Sequence, residues 1–215
     1  VVIGLHRRNA VIDSFFGDKQ SRLLRATNKM IVISRCFIPI NTITRIVVAV
    51  PEKAEYETGF VRWVSALGNL TRDVGCRIIF CCYAATRKSI HAVLRHGEYD
   101  IRSEFRTIEA WDDFILLSNK ILPDDLFVVV NARRTSVSFT SDLDTLPQFL
   151  QRYMASNNLL VLYPEQFGDE SPVPTMAETL STDVVAAPSP LWLSLTNKLR
   201  ALISGKSSRT PKIDL

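Results

Sequence analysis

Apolar residues along this chain fall into two kinds of run. Short continuous runs at Met30–Cys36, Arg45–Val50, Arg77–Tyr83, Leu126–Val130 and Leu159–Tyr163 have strand length and are rich in Val, Ile and Leu. Continuous apolar character is what a strand shows when helices cover both faces of its sheet. Val1-Val2-Ile3 and Phe105–Glu109 read as two further short strands. Between them lie periodic stretches. Glu55–Asp73 places Phe60, Trp63, Val64, Leu67 and Leu70 on one helical face, and Gly75 supplies the stop. Asp18–Thr27 (with Asp18 as N-cap), Arg87–His96, Trp111–Lys120 and Leu143–Ala155 also carry helical spacing.

Strands alternating with helices predict an α/β fold with a parallel sheet and right-handed crossovers. From Arg45 to Tyr163 the pattern spells one complete α/β domain. The piece before it contains only strand, loop, helix and strand. It parallels the end of the complete domain: Val1-Val2-Ile3 with Val128-Val129-Val130, Arg7-Arg8 with Arg133-Arg134, and Met30–Ser34 with Leu159–Tyr163. Such self-similarity at a domain-length offset predicts tandem copies. The first strands of copy one are expected upstream of Val1. Edge strand Met30–Cys36 is then expected to lie beside Leu159–Tyr163, covering both edges. The organisation read from this is 1–38 for the end of a first domain and 39–167 for the second.

The tail has another character. From Pro164 to Pro190 there are five acidic residues, no basic ones and five prolines, which reads as a linker over 168–190. Residues 191–205 read as an amphipathic helix, with Leu191, Trp192, Leu195, Leu199, Leu202 and Ile203 recurring at helical spacing. Docking on protein is one role for it. Contact with an anionic membrane surface through Leu191, Trp192 and Leu195 is another. A basic tail, 206–215, follows.

Composition narrows the function classes. The chain is 47% hydrophobic with a formal net charge of +4, which suits a packed core. Its basic residues are scattered among acids, so no nucleic-acid partner is expected. No apolar run approaches the roughly 20 residues of a spanning helix. Cys36, Cys76, Cys81 and Cys82 lack metal-ligand spacing and read as reduced core thiols. His6, His91 and His96 have no catalytic partner at a suitable spacing, although His6 sits in the loop described next. Asp112-Asp113 and Asp124-Asp125 suit a helix start and a turn. With no nucleophile motif and no P-loop, enzymatic activity is not expected.

The stretch that carries chemistry is strand, Gly4, long loop, Gly17, helix, strand. A glycine at a strand's carboxyl end lets a ligand approach the backbone, and a helix start suits phosphate. This stretch resembles the universal stress protein family. That family's nucleotide motif is glycine, two residues, glycine, nine residues, glycine, then Ser or Thr. Gly4 and Gly17 match the first and third glycines, whereas Arg7 and Asp18 replace the second glycine and the hydroxyl residue. An anion such as Asp18 about 4 Å from a phosphate repels it by ~1 to 4 kcal/mol. Three readings stay open: Asp18 as a plain N-cap beside a solvated Arg7, Arg7 paired with Asp18 so that the site plugs itself, or a working adenine-nucleotide site. In the second copy Asn131 and Arg134 stand at the first two glycine positions. Arg45–Val50 ends in Pro51-Glu52, where a competent member ends in Asp. No ATP is expected in that copy.

Gly4-Leu5-His6-Arg7-Arg8, Asp13-Ser14-Phe15-Phe16-Gly17, Arg45–Pro51 and Thr58-Gly59-Phe60-Val61-Arg62-Trp63 together resemble the cytoplasmic tails of bacterial monovalent cation/proton antiporters of the sodium/hydrogen exchanger type. The resemblance spans about Val1 to Phe167. It implies a Rossmann-like, adenine nucleotide alpha hydrolase-like domain and part of a preceding copy. It further implies a non-catalytic regulatory role on the cytoplasmic side of the inner membrane and a membrane-embedded antiporter domain in the same polypeptide. A homodimer is also expected, with no cofactor unless an adenine nucleotide binds. The rival reading is a free-standing universal stress protein that binds ATP.

Overall fold

A computed structural model describes residues 1–4, 20–110, 113 and 120–166. They form an α/β fold around one mostly parallel seven-stranded sheet in the order β1-β2-β7-β6-β3-β4-β5. The strands are β1 (Val2–Gly4), β2 (Ile31–Arg35), β3 (Arg45–Ala49), β4 (Arg77–Cys82), β5 (Arg102–Thr107), β6 (Asp125–Val130) and β7 (Asn158–Tyr163). The described helices are α1 (Gln20–Ala26), α2 (Phe60–Val74), α3 (Ala84–His96) and α4 (Leu146–Tyr153).

β3 to β7 are parallel neighbours throughout. The chain leaves β3 towards β4 and β5, then returns to β3's other side with β6 and β7. β1 and β2 are parallel to each other, and β2 joins β7 antiparallel, with Ile33 opposite Val161. The edge pairing expected between these two segments is therefore present, and it makes the sheet continuous.

Alternate residues of each strand feed two cores. Val32, Val48, Phe80, Val128 and Leu160 face one side, where α2 and α3 pack. Ile31, Ala49, Cys81, Val129 and Val161 face the other, where α4 packs through Leu146 and Leu150. The face read on α2 is the buried one: Phe60, Trp63, Val64, Leu67 and Leu70 are all buried. Each such side chain contributes about 1.5–3 kcal/mol by leaving water. The Phe60 and Trp63 rings meet edge to face at 5.3 Å. Gly75, at φ 74°, ends the helix, its N–H bonding the Thr71 and Arg72 carbonyls. A side chain there would be strained.

Strand faces correct the internal alignment by one residue. Val2 packs on the same side as Val128, and Ile3 on the same side as Val129. Val2 also shares its side with Val130, so any match between the two segments must shift by one residue from the pairing of Val2 with Val129. A one-residue slip would turn every side chain to the wrong face.

Several element boundaries also differ from the reading. α2 starts at Phe60, not Glu55, because Lys53 takes a left-handed conformation (φ 62°) and Ala54–Tyr56 forms a separate 3-10 turn. α3 starts at Ala84, three residues ahead of Arg87. α4 starts at Leu146 after a 3-10 turn over Ser141–Thr145. β5 lies at Arg102–Thr107 rather than Phe105–Glu109, because it is an edge strand whose one apolar residue is Phe105. Of the expected helix Trp111–Lys120, only Asp113 and Lys120 are described. Asp113 accepts the Glu109 and Ala110 N–H groups at 2.9 and 3.1 Å, and these two bonds lower its pKa. The expected linker, amphipathic helix and basic tail, 168–215, lie outside the described residues.

At the amino-terminal end of the sheet, Asp125 is fully buried and holds Arg45 with both carboxylate oxygens, one of them to Nε at 2.8 Å. It also accepts the Leu122 N–H at 2.7 Å. The second acid of Asp124-Asp125 thus has a structural role, as its turn position suggested.

Candidate functional site

In an open α/β sheet, ligands bind outside the carboxyl ends of the strands, where the connections diverge. Here that point lies between β3 and β6. Two loops rise from it: Val50 to Gly59 after β3, and Asn131 to Thr140 after β6. They close on each other through Glu57. Its Oε1 accepts both the N–H and the Oγ–H of Ser138, at 2.9 and 2.7 Å. Ser138 is 2% exposed. The loop amide that could meet a phosphate is already bonded to the protein's own carboxylate. A second anion brought there would meet like charge and lose that bond.

Other polar groups around the crevice are also engaged. Asn131 donates to the Tyr163 hydroxyl at 2.8 Å and accepts from the Ala132 N–H at 2.7 Å. Glu55 accepts from Thr86 at 2.7 Å. Gln166 donates to Thr135 and Ser136, while its own N–H bonds the Asn28 carbonyl at 3.1 Å. Glu165 is buried and pairs with Arg62. Gly59 lies so close that a Cβ there would sit 2.6 Å from the Glu165 nitrogen. The Ser138 and Thr86 hydroxyls face carboxylates, a pairing that can activate a nucleophile. Both are buried, at 2% and 0% exposure.

Beside this closed crevice is a cavity of about 890 Å³ between α1 and the loop after β6, lined by Arg25, Asn28, Arg133, Arg134, Asp144 and Tyr163 among others. Arg133 anchors its wall. Its Nη1 donates to the Leu24 and Thr27 carbonyls, the latter at 2.6 Å, and its Nη2 to the Lys29 carbonyl at 2.9 Å. Leu24 and Thr27 lie at the end of α1, where the helix dipole favours a cation, and Lys29 follows just past it. Arg133 is 5% exposed, its Nε has no hydrogen-bond partner, and burial lowers its pKa. Burial likewise lowers the pKa of Arg35, which donates to the Met154 carbonyl just past α4. Each buried guanidinium bridges the early segment and the later domain.

Of the sequence-predicted site residues, Gly4 closes β1 at the sheet edge and is exposed. Arg7, Gly17 and Asp18, with the whole loop between Gly4 and Gly17, lie outside the described residues. In the second segment, Arg134 forms an ion pair with Asp144 at 3.0 Å. Both partners are largely exposed, which limits its energetic weight. The sequence reading puts Arg134 at the second glycine position, but the one-residue shift that the strand faces require moves it off that position. Glu57 and Ser138 are not singled out by the sequence, and Arg133 enters it only as part of the internal match with Arg7-Arg8. They carry no motif, and their partners are 81 or more residues away.

Among the described residues no group of three or more His, Cys, Asp or Glu could hold a metal. No helix there is long and apolar enough to cross a membrane. The fold is α/β with a mostly parallel seven-stranded sheet, consistent with a Rossmann-like arrangement, and at its crevice the Glu57 carboxylate is bonded to Ser138. No protein-family model and no curated protein matches the chain.

Proposed function

We propose that this chain is a non-catalytic regulatory and interaction module, built from the end of one universal-stress-like domain and a complete, degenerate second one. Its setting is the cytoplasmic tail of a bacterial cation/proton antiporter. The observation that carries the non-catalytic reading is the Glu57 carboxylate seated on the Ser138 N–H and hydroxyl. It blocks the position where phosphate binding needs free donors. The order β7-β6-β3-β4-β5 supports a universal-stress-like second domain, and the antiparallel β2–β7 seam supports two related segments meeting edge to edge. The antiporter setting rests on the sequence resemblance.

In this reading the module acts by contact. The buried Arg133 and Arg35 bridges hold its two segments together, and a signal that loosens them would change the packing presented to the membrane domain. A ligand could bias transport only by preferring one packing over the other. The residues encoded upstream of Val1 give the first test, since the proposal expects a series of apolar segments of about 20 residues each. Their absence would remove the antiporter setting. Deleting this region from the whole transporter should alter the pH or ion response of cation/proton exchange in vesicles and leave exchange itself in place. An unchanged response would remove the regulatory role.

A further inference from the structure

β5 ends the sheet, and the stretch around it mirrors itself in chemistry. Reading outwards from Ser103, Arg102 is matched by Glu104, Ile101 by Phe105, and Asp100 by Arg106. We infer that β5 is a homodimerisation edge, pairing antiparallel with β5 of a second copy about Ser103. In that register Arg102 faces Glu104 of the second copy, and Asp100 faces its Arg106. Ile101 then lies opposite Phe105.

Backbone geometry agrees with this register. The Ile108 N–H bonds the Cys82 carbonyl at 3.2 Å, so Ile108 points its backbone groups at β4. Alternation along the strand then turns Arg102, Glu104 and Arg106 towards β4, and Ile101, Ser103 and Phe105 outwards. The outward set supplies about six hydrogen bonds in the proposed pairing. The charged residues fall in the pairs without mutual hydrogen bonds, where side chains come closest. Arg102, Glu104, Arg106 and Asp100 are all exposed. The Phe105 ring is held inwards, stacked on Phe80 at 5.5 Å, so the strand is fixed in position.

Charges on an edge strand usually prevent self-pairing. That protection fails when each charge meets its opposite in the second copy. Helix α3 lies over this end of the sheet with Arg87, Lys88, His91 and Arg95 exposed. Two such helices would repel, so the dimer is expected to be weak and reversible.

Sedimentation velocity on the 215-residue chain, up to ~1 mM, tests this with charge variants. The wild type should dimerise with rising concentration. Arg102→Glu and Glu104→Arg each place like charges opposite one another and should weaken the dimer by ~10-fold or more. The double variant reverses both charges and should restore it to within about threefold of wild type. Ser103→Pro removes one outward N–H, leaves the bonds to β4 in place, and should also abolish the dimer. A wild type that stays monomeric, single variants that dimerise unchanged, or a double variant that fails to recover would each overturn the proposal.

Discussion

Replacing Arg133 by Met removes the charge and keeps most of the side-chain volume. Three carbonyls at and just past the end of α1, those of Leu24, Thr27 and Lys29, lose their bond to the guanidinium. A hydrogen bond from a charged group is worth about 1.5–3 kcal/mol, so the three together amount to roughly 5–9 kcal/mol before opposing terms. The opposing terms are large. Burying a guanidinium costs several kcal/mol, and the unpartnered Nε adds about 1–3 kcal/mol to that cost. The net loss for Arg133→Met is about 1–3 kcal/mol. For a chain of this size that lowers Tm by roughly 3–10 °C. The loss should be local as well as global. Amide hydrogen exchange should speed up over α1 and β2 and change little over β3, β4 and β6. Arg133→Lys should fall between wild type and Met, since an ammonium lacks the planar fork that spans three acceptors. A Met variant with wild-type Tm and wild-type exchange at α1 would refute the claim that Arg133 holds the early segment in place.

Other outcomes follow from buried groups. Asp125→Asn should cost about 3–5 kcal/mol by urea denaturation, because it breaks a buried two-point pair with Arg45 and leaves a guanidinium short of its partner. Burial pushes the Cys36, Cys76 and Cys81 thiols up to about 11 and Cys82 up to about 12. All four should therefore react slowly with a thiol reagent at pH 8 until the chain unfolds. The sign for stability follows from proton binding. Near pH 9 to 11 the unfolded chain releases thiol protons that the folded chain keeps, so stability should be constant below about pH 9 and fall as pH rises to about 11. Pulsed alkylation and denaturation at stepped pH read these two effects.

Much of the sheet was legible because buried parallel strands leave continuous apolar runs, as at Ile78–Tyr83 and Leu126–Val130. The same continuity hid the register. With both faces of Val1-Val2-Ile3 apolar, nothing in the pattern says which side is which, and packing had to decide. β5 was misplaced for the opposite reason, since Arg102, Glu104 and Arg106 lie on its exposed face and interrupt the run. The start of α2 was hidden by Lys53, whose left-handed turn no residue type announces. The site was less legible than the fold. Glu57 meets Ser138 across 81 positions and Arg133 meets the end of α1 across more than 100. Spacing rules describe only neighbours along the chain. The glycine pattern at Gly4 and Gly17 drew attention to one loop, while the contacts that close the crevice came from residues with no motif.

Thermal unfolding of the chain with and without ~1 mM ATP is the direct measurement of a crevice filled by its own glutamate. The account predicts the same Tm in both, with no heat on titration. A nucleotide bound at ~10 µM would add about 2.7 kcal/mol and raise Tm by roughly 5–10 °C. A shift of that size in the wild-type chain would contradict a carboxylate-occupied site and favour a nucleotide-binding stress protein.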